Sequence, residues 1–438
     1  MATDNSLTIL DDGNGLFGTH VTLEDVNNSI REQMDTDLEL TPESEMMVIE
    51  DGNVSGFLLR NFGNIIKGVI TVLQGFSSCV VLISCKWNKP SDTFPHKIVL
   101  KIVSFSHIKA LISKAEKEGI FTRSETEKKN MNENFEISIQ RIHNQEVDFY
   151  NVLGKGEPEN LLTPNVYFMS KFDENNKTKG FIGMEYIEGS VTRHSYENCT
   201  VKEIQPVLKA IAHIQALTFS IPEEEIEKTF KDNSYTESMK SMMEGEIMTG
   251  IFMHTKNQNP ERFGELVARV ERLAPGILDF EKAFNLNKYI DIPKNVFVHG
   301  DLWSANILFA PSKDGSMYAC KVLDYQLSHM GNPAEDLVRL LCSTLSGSQR
   351  RQNWEHILEN FYAYFLEAMQ TKEIPYTLEQ LKLSYRSYFP MGGLALLPLL
   401  GPAADVKMKS MSEKTAEKSR KVLAEKIECL LQDVEKFY

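Results

Sequence analysis

Residues 296–309, VFVHGDLWSANILF, set His299, Asp301 and Asn306 between two short apolar runs. The flanking residues 296–298 and 307–309 read as two short strands, which puts the polar trio at the mouth of a buried hairpin. Beyond the strand-like MYACKVL, eighteen residues after Asn306, stands Asp324 in LDYQ. Singly, aspartate and asparagine are ordinary turn and cap residues. Their order and spacing here, with further charges upstream, give them a common purpose.

Two of those charges lie in apolar surroundings. Lys101 sits inside IVLKIVSF, residues 98–105, a run otherwise apolar on both faces. A buried ammonium is costly without a partner, so the side chain either snorkels to water or meets an anion. The helix expected over about residues 138–153 supplies one. Its apolar stripe is Ile139, Ile142, Phe149, Tyr150 and Leu153, and Glu146 falls in the middle of that stripe. Lys101 and Glu146 are therefore expected to pair, at a desolvation cost that points to a functional use.

The chain has 438 residues, 25% of them charged, and a net charge of −14. That length suits two lobes and that composition suits a soluble globular protein. The acidic balance argues against general nucleic-acid or anionic-membrane binding, while a local basic pocket can still hold a phosphate. Six cysteines without a CxxC pair read as free thiols of a reducing compartment. The start, MATDNSLTILDDGNG, lacks the basic and apolar parts of a secretion signal, so a cytoplasmic location is expected. The apolar MGGLALLPLLG, residues 391–401, is too short to span a bilayer, and stable membrane insertion is not expected. It reads as core or as a pocket wall.

An N-terminal extension with a Thr22-capped amphipathic helix is expected over residues 1–55. A β-rich lobe follows over 56–187, with a charge-dense linker or helix near 109–136. A mostly helical lobe carrying the polar loop then fills 188–438. This is an α+β plan whose natural site is the cleft between lobes.

The H-x-D-x-x-x-x-N spacing of His299, Asp301 and Asn306, the later Asp324, the strand lysine and the helix glutamate together resemble the protein-kinase-like superfamily. Ordinary protein kinases place a lysine two positions after the catalytic aspartate, a DFG at the metal aspartate and an APE beyond it. Here those positions hold Trp303 and Asp324-Tyr325-Gln326, with nothing like APE, which disfavours a protein substrate. HGDLWSANILF, followed by VLDYQLSHMGNPAEDLVRLL, is similar instead to the choline kinase and aminoglycoside phosphotransferase branch, most of all to the CHK kinase-like, ecdysteroid-kinase-like group. The match covers roughly residues 56–400, with HNQEVDFY and MEYIEG in support.

The resemblance implies a bilobal fold, a small antiparallel-β lobe with one key helix beside a large helical lobe. It also implies Mg²⁺-dependent transfer of phosphate from ATP to the hydroxyl of a small molecule. Asp301 would accept the proton of the attacking hydroxyl, and Asn306 and Asp324 would hold Mg²⁺. Lys101, aimed by Glu146, would hold the α- and β-phosphates, and the backbone at Met184, Glu185 and Tyr186 would meet adenine. The phosphate-covering turn would be VLQGFSSCVV, which departs from the family's glycine-rich form in offering only Gly75 with Ser77 and Ser78. A stiffer loop or a lower nucleotide affinity is the expected consequence. His299 is read as bracing the loop; Asp336 could reach the catalytic loop, but capping and the helix dipole explain an acidic residue after Pro333, and it is read as structural.

A bulky, partly apolar alcohol, steroid-like for example, would suit the apolar stretch at residues 389–400. The alternative is a pseudokinase, a scaffold that holds nucleotide or another ligand without turnover. An enzyme that hydrolyses ATP or acts on protein is the third reading.

Overall fold

Val81, Ile83, Ile98, Leu100 and Ile102 recur at alternate positions along two paired strands, and that period of two gives a sheet with one fully buried face. The computed structural model describes residues 8–51, 78–105, 125–231, 234–243, 245–370 and 372–438. The chain divides into two compact units, one of residues 1–150 and 164–188, the other of residues 151–163 and 189–438. An α+β architecture results, with the antiparallel sheet in the first unit and most of the helix in the second.

The first unit's sheet contains β1 (Glu45–Asp51), β2 (Ser78–Ser84), β3 (Lys97–Val103), β4 (Val166–Ser170) and β5 (Phe181–Glu185), in the order β1-β2-β3-β5-β4. Every neighbouring pair in it is antiparallel. Helix α1 (Leu23–Gln33) starts in a capping box, in which the Thr22 hydroxyl accepts from the Asp25 N–H and the Asp25 carboxylate accepts from Thr22. It buries Val26 and Ile30 in the same cluster as the sheet. The segment expected as an extension is thus part of this unit's core. Helix α2 (Glu125–Leu153) begins well before the expected residue 138, inside the charge-dense stretch. The division between units falls in its last turn, and residues 151–163, which include the short helix Pro158–Leu161, belong with the second unit.

In the second unit α3 (Val201–Leu217), α4 (Pro260–Ile277), α5 (Glu335–Thr344), α6 (Gly347–Met369), α7 (Leu378–Leu394) and α8 (Glu413–Phe437) supply most of the buried surface. Short strands break in where the sequence turns from a helical to a β pattern. β6 (Val191–Thr192), β8 (Ile307–Pro311) and β9 (Met317–Val322) form one sheet, and β7 (Val296–Val298) pairs with β10 (His329–Gly331). Residues 391–397 are buried, so that apolar stretch is core. Among the described residues no helix is long and apolar enough to cross a membrane.

Candidate active site

The loop between β7 and β8 is shaped by what its backbone can tolerate. Gly300 has φ +79, and a Cβ there would collide with the Leu327 carbonyl oxygen, so only glycine fits. Its N–H and that of His299 both donate to the Asp336 carboxylate, at 3.1 and 2.8 Å. Sequence reasoning weighed a reach of Asp336 to this loop and settled on a helix cap. The structure gives it a different task, because it sits in the first turn of α5 yet spends its oxygens on the loop. Burial pushes this carboxyl up to about 6, against the two backbone N–H groups that favour its charge.

His299 does brace the loop. Its Nδ1 accepts from the Asp301 N–H at 3.2 Å and its Nε2 donates to the Leu323 carbonyl at 2.9 Å, which fixes the neutral tautomer. Burial pulls its pKa down to about 4, so the ring stays uncharged.

Asp301 and Asn306 meet. The Asn306 amide donates to the Asp301 carbonyl at 2.8 Å and to Asp301 Oδ2 at 3.1 Å. Arg339 donates from Nη2 to Asp301 Oδ1 at 2.6 Å, and the two side chains are only 12% and 14% exposed. Burial pushes the Asp301 carboxyl above its ordinary value, and the Arg339 charge pulls against that rise. Asp324 lies near enough to repel a charge on Asp301. It occupies a left-handed conformation, φ 68 and ψ 63, uncommon for a residue with a side chain, and its Oδ2 accepts from Gln326 at 3.1 Å. The backbone closes the arrangement with Leu323 N–H donating to the Asn306 carbonyl at 2.9 Å.

The charge pair of the first unit forms as the helix stripe implied. Lys101 Nζ donates to Glu146 Oε2 at 2.7 Å, with Lys101 15% and Glu146 1% exposed. Lys101 is held in register between Val80 and Ile182 on the neighbouring strands. At the end of β5, Glu185 Oε2 accepts from the Asn165 N–H at 3.1 Å, and the ring of Tyr186 lies 5.2 Å from Lys97 Nζ. Ser78 opens β2 opposite Val103, whereas Gly75 and Ser77 lie outside the described residues.

Arg339 is the residue that sequence reasoning missed. It lies one turn after Glu335 and Asp336 in EDLVRLL, a helix buried nearly all round, where a cation needs a carboxylate. That need was a readable signal.

The family model DUF1679, described as uncharacterized oxidoreductase dhs-27, matches residues 9–60 and 64–438. The chain belongs to this family. The DUF1679 chain is 25% identical to the uncharacterized oxidoreductase dhs-27 of Caenorhabditis elegans over 353 residues, 77% of this chain and 41% of that protein. With the uncharacterized kinase-like protein D1044.1 of the same organism it shares 26% identity over 267 residues, 59% of this chain and 65% of that protein. It thus spans about two fifths and just under two thirds of these curated relatives. A solved choline kinase from Cryptosporidium parvum Iowa II superposes with a TM-score of 0.40 and 13% identity, over 82% of this chain and 85% of that one.

Proposed function

We propose that this chain is a small-molecule kinase that transfers the terminal phosphate of Mg²⁺-bound ATP to an alcohol. The observation that carries the reading is the Asp301 carboxylate, buried, raised in pKa and held at both oxygens beside Asn306 and Asp324. A general base works best when its pKa approaches the working pH, and burial moves Asp301 that way. The acceptor's hydroxyl proton would pass to Asp301, and Arg339 would keep the carboxylate aimed while it is taken up. The kinase-like name of one relative agrees with this reading.

Asn306 spends its amide N–H groups on Asp301, which leaves its carbonyl oxygen as a donor to a metal. With the Asp324 carboxylate this makes two hard oxygen ligands, the number Mg²⁺ commonly takes from protein when phosphates and water fill the rest. Bound there, Mg²⁺ would neutralise charge on the transferred phosphoryl group. Lys101, steadied by Glu146, would contact the α- and β-phosphates, and the backbone at Glu185 and Tyr186 the base. Gly75, Ser77 and Ser78 would cover the phosphates. Cys85 and Cys342, free thiols that burial pushes up to about 12 and about 11, suit a reducing compartment such as the cytosol.

The oxidoreductase name of the other relative belongs to a protein more than twice as long as the matched part. This chain does contain a G-x-G-x-x-G spacing, at Gly13, Gly15 and Gly18. A dinucleotide finger needs a strand before it and a helix opening at its end. Residues 8–12 form no strand, α1 begins only at Leu23, and a Cβ on Gly13 or Gly15 would strike the Thr19 or Val21 carbonyl. Close backbone packing accounts for those two glycines.

A scaffold without turnover is the second reading, and it draws on the same contact. Arg339 and Asn306 between them occupy both Asp301 oxygens. Incubating the purified protein with Mg·ATP and a pool of alcohol-bearing metabolites separates the two. A phosphorylated product seen by mass spectrometry and abolished by Asp301→Asn supports the kinase; bound nucleotide without product supports the scaffold.

A further inference from the structure

A hollow of about 370 Å³ opens among α6, α7 and α8, and none of the loop residues described above lines it. Its size falls at the small end of ligand pockets. Its chemistry is unlike that of the chain as a whole. Arg350 and Arg351 both grip one carboxylate, Arg350 Nη1 at 2.6 Å from Asp433 Oδ2 and Arg351 Nε at 3.0 Å from Oδ1. Lys436 lines the same hollow, so three cations face a single anion in a protein of net charge −14.

Arg350 is nearly fully buried and suffices to balance Asp433 while tying α6 to α8. Arg351 and Lys436 are exposed and add charge that this tie does not require; Arg351 also donates from Nη2 to the Cys429 carbonyl and to Gln432 Oε1, and Lys436 Nζ lies 5.5 Å from the Phe437 ring centroid. The wall beside them is aromatic. Trp354 stacks on Tyr385 at 5.2 Å between centroids with 8° between planes, and meets Phe437 edge-on at 6.2 Å. Trp354 and Phe437 are only half-buried, which leaves ring surface open toward the hollow that they line.

Flat apolar surface beside cationic groups that outnumber the single carboxylate selects a ligand with a ring and a negative charge. We propose that this hollow binds a small aromatic anion, its ring against Trp354 and Phe437 and its carboxylate or phosphate between Arg351 and Lys436. The assignment is independent of the kinase reading. Three helices hold the walls, so the site is formed before the ligand arrives.

Calorimetric titration of the whole chain with 1-naphthoate and with phenyl phosphate tests it, with inorganic phosphate and benzyl alcohol as probes lacking the ring or the charge. One-to-one binding is expected for at least one aromatic anion, about tenfold tighter than for either control. Lys436→Ala or Arg351→Gln should weaken it about fivefold, as loss of one partly exposed charge does, and added salt should do the same. Both positions are exposed, so melting temperatures will show that the variants fold. Asp301→Asn should bind as the parent does. The proposal is overturned if neither aromatic anion saturates by about 10 mM, a Kd too weak for a built site. It is equally overturned if binding is undiminished in both charge variants, or if Mg·ATP displaces the anion and Asp301→Asn abolishes its binding.

Discussion

The first unit pairs its buried Glu146 with the lysine of a central strand, whereas the second surrounds Asp301 with an arginine, an amide and a turn whose backbone is itself tied to Asp336. Lys101 reaches Glu146 from the end of a flexible four-carbon side chain, so its head can turn toward a ligand without disturbing the strand. A carboxylate fixed at both oxygens suits a group that has to stay in place while a proton moves to it. The comparison teaches that two ion pairs of similar length suit different work, one resting on a flexible lysine side chain and the other on a carboxylate held at both oxygens.

Variants at both pairs and at buried histidines probe that contrast. Asp301→Asn keeps the shape and one acceptor oxygen but removes the base, and the proposed phosphoryl transfer should fall by about 10² to 10⁴-fold while far-ultraviolet circular dichroism is unchanged. Unchanged turnover would remove Asp301 from the chemistry. Arg339→Gln should cost about 3–5 kcal/mol of stability in urea unfolding, since it leaves a buried carboxylate without its cation. It should also move the acid limb of kcat/KM to higher pH, because the Arg339 charge holds the Asp301 pKa down against burial and its loss lets that pKa rise. Arg339→Lys should restore the limb. A limb that stays in place in Arg339→Gln would show that the pair is purely structural.

In the first unit, Glu146→Gln should raise the KM for ATP about tenfold with less effect on kcat, the signature of weakened ground-state binding. An equal fall in kcat would instead make the pair part of the chemical step. The last effect expected is on the pH dependence of stability. Burial pulls the His143 pKa from 6.5 to about 4, so between those values the folded chain binds fewer protons than the unfolded one. Its contribution is therefore complete above pH 6.5 and is lost as pH falls toward 4, about 2 kcal/mol of it by pH 5. His143→Gln should flatten the melting curve's dependence on pH between 7 and 5. In the second unit His299 has the same shift but Asp336 has the opposite one, since a carboxyl raised to about 6 stabilises below its ordinary value and loses that as pH rises. Their slopes largely cancel, so His299→Gln together with Asp336→Asn should change the pH dependence less than His143→Gln alone.

Much of this was legible in the sequence because it rests on period and spacing. Glu146 is visible as the charge in an apolar stripe, and Asp301 and Asn306 as polar residues between two strands. The start of α2 was not legible, because residues 125–136 are charge-dense and a polar helix looks like a linker until its C-terminal half is seen to be packed. For Asp336 the loop contact was weighed and set aside for a related reason. An acidic residue in a first helical turn is fully explained by the helix dipole, and only coordinates show that its oxygens turn outward to the His299 and Gly300 amides.

Helix α1 lends Val26 and Ile30 to the buried side of a five-stranded sheet. A shortened chain beginning after Met34 would bare Val81, Ile83, Ile98 and Leu100 as one oily plane. Such a surface self-associates, and the trimmed protein would precipitate before its nucleotide chemistry could be assayed.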